Sequence, residues 1–469
     1  MKSLINSLGQ ELIHSEKFVK AKKEILNIIR EKSLQINQIK NPQGDSEKYA
    51  EVIERVAKLK GRGLFYPYMA SGLGNGPLVE LLDGSVKYDM ITGIGVHFFG
   101  HSHEEFADVM IDALPMSVMQ GNLQPGVEQN NLIEKILSHV GKDCRLNHAW
   151  LLCSGTMANE VALKIVRQKN FPAAKILAFE HCFSGRSTAM QEITDNSKYR
   201  QGQPTYGFVH YLPFYNPKKG LQWSIDNTLT ELKKYLSRDP DGYAALMVEL
   251  IQGEGGFTFA PKEFYQSLFE EVKKAGLAVW VDEVQTFGRT GELFAYQTFE
   301  LEKYVDVVTV GKLLQACMVL YTDEYNPKPG LVAGTFSGST VALKSALKTL
   351  DLLTSKGFLG EGGKIDKLSK RFKSGLDKLA EGSCNNLIGE RRVIGGMVAF
   401  EPMDGTTEDV KKVLFKLYEN HVIAFSCGHG PYFVRMLPPF GAMEEFHVDE
   451  VCMQIEKTLL ELSADKKKG

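Results

Sequence analysis

The chain has 469 residues, 55 Lys+Arg against 57 Asp+Glu, a formal charge of −2 at pH 7 and 43% hydrophobic content. At roughly 100–200 residues per domain this length holds two or three structural units, and the near-neutral balance argues against binding driven by nucleic-acid phosphates or an anionic membrane surface. No run approaches the roughly 20 apolar residues that span a bilayer. The first ten residues, Met1-Lys-Ser-Leu-Ile-Asn-Ser-Leu-Gly-Gln, lack an apolar stretch of signal-peptide length, so a cytoplasmic protein is expected. The seven cysteines are scattered without a Cys-x-x-Cys pair, which reads as reduced thiols.

Residues 1–60 carry apolar residues at helical spacing, first Leu4, Ile5, Leu8, Leu12 and Ile13, then Ile25, Ile28 and Ile29. Asn41-Pro-Gln-Gly-Asp-Ser46 breaks the pattern before a further helical stretch through Leu59. This extension holds no chemical motif and reads as a packing or interface arm. Residues 61–104 are expected to pack with a smaller C-terminal domain. Within 105–345, from about Ala149, short apolar runs alternate with helical segments: 149–153, 175–179, 244–249, 277–282 and 305–310. That alternation predicts an α/β fold with a mostly parallel central sheet covered on both faces. Residues 346–469 read as a smaller α+β domain, with strand candidates at 395–400 and 432–437 and a solvated basic helix face over Lys364–Lys378.

In parallel sheets, ligands gather beyond the C-terminal strand ends. Here several predicted strands end at or near polar residues: Ser154, Glu249, Asp282 and Lys312. Ser154-Gly-Thr-Met-Ala-Asn-Glu160 is a strand, a small-residue turn and a helix start, whose backbone N–H groups suit a phosphate. Lys312 follows a strand thirty residues after Asp282. It is either half of a structural ion pair or an amine for a carbonyl cofactor. Any one of these signals is weak; in this order they are strong. His97, His101 and His103 lie near Glu104 and Glu105, but no further ligand spacing supports a metal site, and none is expected.

With these motifs the chain resembles the class III pyridoxal-phosphate-dependent aminotransferases, the group that includes ornithine, acetylornithine and 4-aminobutyrate aminotransferases. The stretches that carry the resemblance are Gly100-His-Ser-His103, Ser154–Glu160, Phe183-Ser-Gly-Arg-Ser187, Val248–Gly256, Asp282-Glu-Val-Gln-Thr286, Gly288-Arg-Thr-Gly291, Val310-Gly-Lys312 and Gly334-Thr-Phe336. The resemblance implies fold type I and a cofactor, pyridoxal 5′-phosphate, held as a Schiff base on Lys312. It implies that Asp282 pairs with the pyridinium nitrogen, that Val284 and Phe183 cover the two ring faces, and that Gln285 meets the ring hydroxyl. Gly155 and Thr156 would hold the phosphate, joined by Thr335 from a neighbouring subunit, which implies a homodimer or a higher homo-oligomer.

For substrate, the resemblance makes Arg435 the α-carboxylate clamp and Glu254 its partner while an ω-amino donor reacts. Arg186 either contacts substrate or pairs locally. The implied reaction is ping-pong transfer of an amino group from an ω-amino donor to a 2-oxo acid such as 2-oxoglutarate. The same residues also serve an aminomutase, a racemase or a decarboxylase, and a non-catalytic homologue is the remaining alternative. After Lys312 the family runs into glycines where this chain has Leu313-Leu-Gln-Ala-Cys317, so bulkier side chains are expected at the pocket floor.

Overall fold

The computed structural model describes residues 7–466; Leu4 and Ile5 of the predicted N-terminal stripe lie outside it. The chain divides into two compact units, Met116–Glu361 and the stretches before Met116 and after Glu361. The first unit is built on a seven-stranded sheet. In chain order its strands are β1 (His148–Leu152), β2 (Lys175–Phe179), β3 (Val209–Leu212), β4 (Tyr243–Val248), β5 (Ala278–Glu283), β6 (Val307–Val310) and β7 (Cys317–Tyr321). Their spatial order is β1-β7-β6-β5-β4-β2-β3. Strand β7 runs antiparallel to both neighbours, and every other pairing is parallel. Six strands therefore point their C-terminal ends the same way.

The two central strands show why the sequence folds this way. Every residue of β4 and of β5 is buried, as expected of strands covered on both faces, and Trp280 of β5 is wholly enclosed. The five predicted runs all form strands of this sheet. Strands β3 and β7 are not among those runs. Strand β3 is a four-residue edge strand, half-exposed at three positions, so it carries little of the continuous apolar signal. Strand β7 begins directly after a short turn over Lys312–Leu314, too close to β6 to stand out as a separate run.

The second unit contains two four-stranded sheets. One joins Ile388–Ile394, Met397–Pro402, Tyr432–Met436 and Phe425–Gly428 in antiparallel order. The other pairs the early strands Ala70–Asn75, Leu78–Leu81 and Val86–Asp89 with Val422–Ile423. The N-terminal extension forms helices Leu8–His14, Glu16–Ser33 and Ser46–Lys60. Its second helix is tied to the helix Glu104–Ala113 by Lys22, whose Nζ lies 2.9 Å from Asp108 and 2.8 Å from Asp112. Among the described residues no helix is long and apolar enough to cross a membrane.

Side-chain alternation along β5 sends Asp282 and Glu283 to opposite faces. Glu283 is fully buried; it accepts the N–H groups of Ala295 at 2.7 Å and Tyr296 at 2.9 Å. Burial pushes this carboxyl up from 4.5 to about 7, against the pull of those two amides. The fold thus keeps it neutral where an unfolded chain would ionise it. Its contribution to stability is full below about pH 4.5 and is lost as pH rises through 7, at most about 3 kcal/mol. Glu283→Gln should flatten this part of the stability profile, measured by denaturant unfolding of the cofactor-free chain between pH 4.5 and 8.

Candidate active site

The C-terminal strand ends of the first unit bring the chemistry together. From β1 the chain turns at Ser154 into helix α1 (Gly155–Lys169), and the Ser154 hydroxyl accepts the Met157 N–H at 3.2 Å. The Gly155 and Thr156 N–H groups belong to the first turn, where no carbonyl of the helix can reach them, and the helix dipole adds positive potential there. Close approach fixes the residue types: a Cβ at Gly155 would sit 2.6 Å from Val284 Cγ1, and one at Gly185 2.6 Å from Thr156 Oγ1. Gly155, Thr156 and Val284 therefore share one small-walled cradle, with the segment from Phe183 to Gly185 against it.

Asp282 stands at the centre. Its Oδ1 accepts the Val284 N–H at 2.8 Å and its Oδ2 accepts Asn159 Nδ2 at 2.7 Å. Asn159 in turn accepts the Thr309 hydroxyl at 2.7 Å and donates to the Ser184 carbonyl at 2.8 Å. Thr309 lies opposite Asp282 in the β5–β6 register, and Asn159 lies one helical turn beyond Gly155, on the same face. Burial raises the Asp282 carboxyl, while its hydrogen bonds and the nearby Lys312 pull it down.

Lys312 emerges two residues beyond β6, the strand next to Asp282. Its φ of +46° is uncommon for a residue with a side chain, and such strain gathers at functional positions. Of the bulky residues after it, Leu313 and Leu314 are buried, and a Cβ at Gly288 would meet Leu313 at 3.1 Å.

Gln285 completes the set. It is 7% exposed, and its buried Oε1 has no hydrogen-bond partner. A buried amide with an unmet end is a place for a ligand polar group. Phosphate cradle, buried carboxylate, strand-end amine and unmet amide together fit pyridoxal phosphate.

Around this cluster, Phe183 meets Tyr199 edge-on at 5.9 Å, and the exposed Arg186 stacks its guanidinium 3.9 Å from the centre of the Tyr199 ring. The Tyr199 hydroxyl lies 3.5 Å from Glu254 Oε2. Arg186 therefore has an aromatic partner where a local acid was the expected alternative to substrate. Thr335 is exposed, on a loop whose Gly334 bonds Asn122. Arg435 lies in the other unit, wholly buried on Tyr432–Met436, its guanidinium 5.6 Å from the Phe425 ring centre. His101 of the histidine cluster sits 3.0 Å from Asp89; among the described residues no group of three or more His, Cys, Asp or Glu could hold a metal.

Sequence reasoning gave no role to Asn159, Thr309 or Tyr199, and marked Glu249 only as a polar strand end. The motif holds Asn159, and its i+4 offset from Gly155 was the available signal. The other three are linked to the site by contacts between distant segments.

The tight fit at Gly155 generates a test. Gly155→Ala must displace Val284 or lift the start of α1, so affinity for pyridoxal phosphate should fall about tenfold or more. Circular dichroism should be unchanged, and cofactor titration followed by absorbance gives the affinity.

Comparison with known proteins agrees with this geometry. A family model described as Aminotransferase class-III matches residues 67–459. Acetylornithine aminotransferase of Oceanobacillus iheyensis is 30% identical over 402 residues, covering 82% of this chain and 91% of that protein. The enzyme of the same name from Caldanaerobacter subterraneus is 29% identical over 414 residues, covering 85% and 96%. Among solved structures, the ornithine aminotransferase of Toxoplasma gondii ME49 aligns with a TM-score of 0.77 at 21% identity, covering 89% of this chain and 96% of that one. The lysine aminotransferase of M. tuberculosis aligns at 0.76 and 21%, covering 87% and 98%. At this identity the structural likenesses show the fold. Aminomutase, racemase, decarboxylase and non-catalytic readings are not favoured by these relatives. The chain belongs to the class III aminotransferases and is a pyridoxal-phosphate-dependent enzyme that moves an amino group.

Proposed function

We propose that this enzyme takes the terminal amino group of an ω-amino donor of the ornithine, acetylornithine or 4-aminobutyrate type and passes it to a 2-oxo acid such as 2-oxoglutarate, by a ping-pong route. The observation that carries the chemistry is the buried chain Thr309–Asn159–Asp282, which links β6, α1 and β5 beside Lys312. The relatives named acetylornithine aminotransferase support the donor class.

Pyridoxal phosphate, when bound, supplies an electron sink for the carbanion formed at the donor carbon. Lys312 would hold it through Nζ, and the same Nζ would carry the proton at the donor carbon. Asp282 would keep a proton on the ring nitrogen, and Asn159 orients that carboxylate. Val284 and Phe183 would cover the ring faces, Gln285 would bond the ring hydroxyl, and the first N–H groups of α1 would hold the phosphate. By the family resemblance, Arg435 would bind the carboxylate of the 2-oxo acid through its planar fork, and Glu254 would be the acid that favours a terminal amine. Lys312→Ala should abolish borohydride-fixed cofactor. Arg435→Ala should slow the 2-oxo-acid half-reaction at least tenfold more than the ω-amine half-reaction, read by stopped-flow absorbance; equal losses would count against the clamp.

The active species is read as a homodimer in the cytoplasm, with Thr335 reaching the partner subunit's phosphate site. In support, the paired segments Met119–Gln120 and Gly338–Ser339 stand among large exposed apolar side chains, Val118 at 79%, Leu123 at 96% and Phe336 at 63%. A patch of this kind marks an interaction surface. Phe336→Asp should shift the protein toward monomer in light scattering and weaken cofactor binding along with it.

A further inference from the structure

One carboxyl group within this cluster has no part in the mechanism above. Glu249 directly follows β4 and is 6% exposed. Its Oε1 accepts the Phe183 N–H at 2.7 Å, and its Oε2 accepts the Gly253 N–H at 3.0 Å. Two loops leaving different strands thus end on a single side chain. The first, after β2, delivers Phe183. The second delivers Glu254, the residue after Gly253.

Neither loop has room to drift. A Cβ at Gly253 would strike the Gln285 amide, so that backbone already rests against the residue assigned to the ring hydroxyl. On the outer side Tyr199 spans the same two loops, its ring against Phe183 and its hydroxyl beside Glu254. A backbone held from both sides keeps its side chain in one orientation.

We propose that Glu249 is a positioning residue that sets Phe183 and Glu254 together, so that grip on the cofactor and choice of donor are coupled through one buried carboxyl. The proposal rests on the reading of Phe183 and Glu254 given above.

The charges facing this carboxyl are Asp282 and Lys312, and the Cys182 thiol is buried beside it. Burial, then Asp282, pushes Glu249 up from 4.5 to about 8, against its two amides and Lys312. Ionised, the group offers an acceptor oxygen to each amide. Neutral, one oxygen carries the proton and no longer serves its N–H as well. The brace therefore tightens as pH rises through about 8, and Glu249→Gln mimics the looser form at every pH.

The test titrates pyridoxal phosphate into the cofactor-free protein between pH 6.5 and 9.5, for wild type, Glu249→Gln and Phe183→Ala. Glu249→Gln should raise Kd about tenfold at pH 9.5, the scale of one charge-assisted hydrogen bond. At pH 6.5 the change should be much smaller. In the loaded enzyme it should also lower the preference for ω-amino over α-amino donors, the effect expected of Glu254→Ala if Glu254 favours a terminal amine. An equal rise in Kd at every pH, or an unchanged donor preference, overturns the coupling. An unchanged Kd in Glu249→Gln beside a raised one in Phe183→Ala overturns the proposal alone. An unchanged Kd in Phe183→Ala overturns the underlying reading of the site. If Glu249→Gln does not fold, Glu249→Asp carries the same test: the shorter arm reaches only one of the two amides, and a Kd equal to wild type at pH 9.5 overturns the brace.

Discussion

The hydrogen bond from Asn159 to Asp282 is the contact on which the rest of the site depends. A carboxylate at the buried end of a central strand is costly unless each oxygen is met. Asp282 has one oxygen on a backbone N–H and the other on Asn159. Asn159 can serve only if α1 begins at Gly155, because one helical turn separates the two. The same helix start aims its first N–H groups at a phosphate. Holding the acid and forming the cradle are therefore one requirement, met by the strand–turn–helix unit after β1. Thr309 adds the third point by fixing the other end of the Asn159 amide. That threonine belongs to β6, three residues before Lys312, so amine, acid and anion site are all referred to the same two strands and one helix.

Much of this was legible in the sequence, and the reason is physical. Strands buried on both faces are nearly continuous apolar runs, so β1, β2, β4, β5 and β6 stand out against helical periodicity. Their polar ends mark the ligand side of the sheet without any alignment. The half-exposed edge strand β3 offers only a weak version of that signal. Strand β7 reverses direction within the sheet, and nothing in its five residues states which neighbour it pairs with; that depends on the tight turn at Lys312–Leu314. The leucines of this turn illustrate the same limit. Their bulk is visible in the sequence, but the direction in which they point is set by the left-handed backbone at Lys312 and Gln315.

Residues that organise other residues were harder to read than those that meet a ligand. Lys312, Asp282 and Gln285 belong to compact motifs whose order along the chain carries meaning. Glu249 and Tyr199 act across 66 and 55 positions of sequence respectively, and their importance exists only once two loops are brought to the same point. Glu249 shows the cost of that arrangement. Its partners are amides that favour the anion, yet it shares a dry interior with Asp282, so the fold holds two carboxyls that compete to stay ionised.

The two carboxyls differ in what holds them. Burial raises both and Lys312 pulls both down, but Asp282 meets a side-chain amide of α1 and one backbone N–H, whereas Glu249 meets two backbone N–H groups from different loops. That difference suits the proposed roles, a counter-charge for the ring nitrogen of the cofactor and a brace between two loops. Two acids that a strand-by-strand reading treats alike are thus separated by their partners. One is equipped to hold charge at the reacting centre, and the other to hold the walls around it.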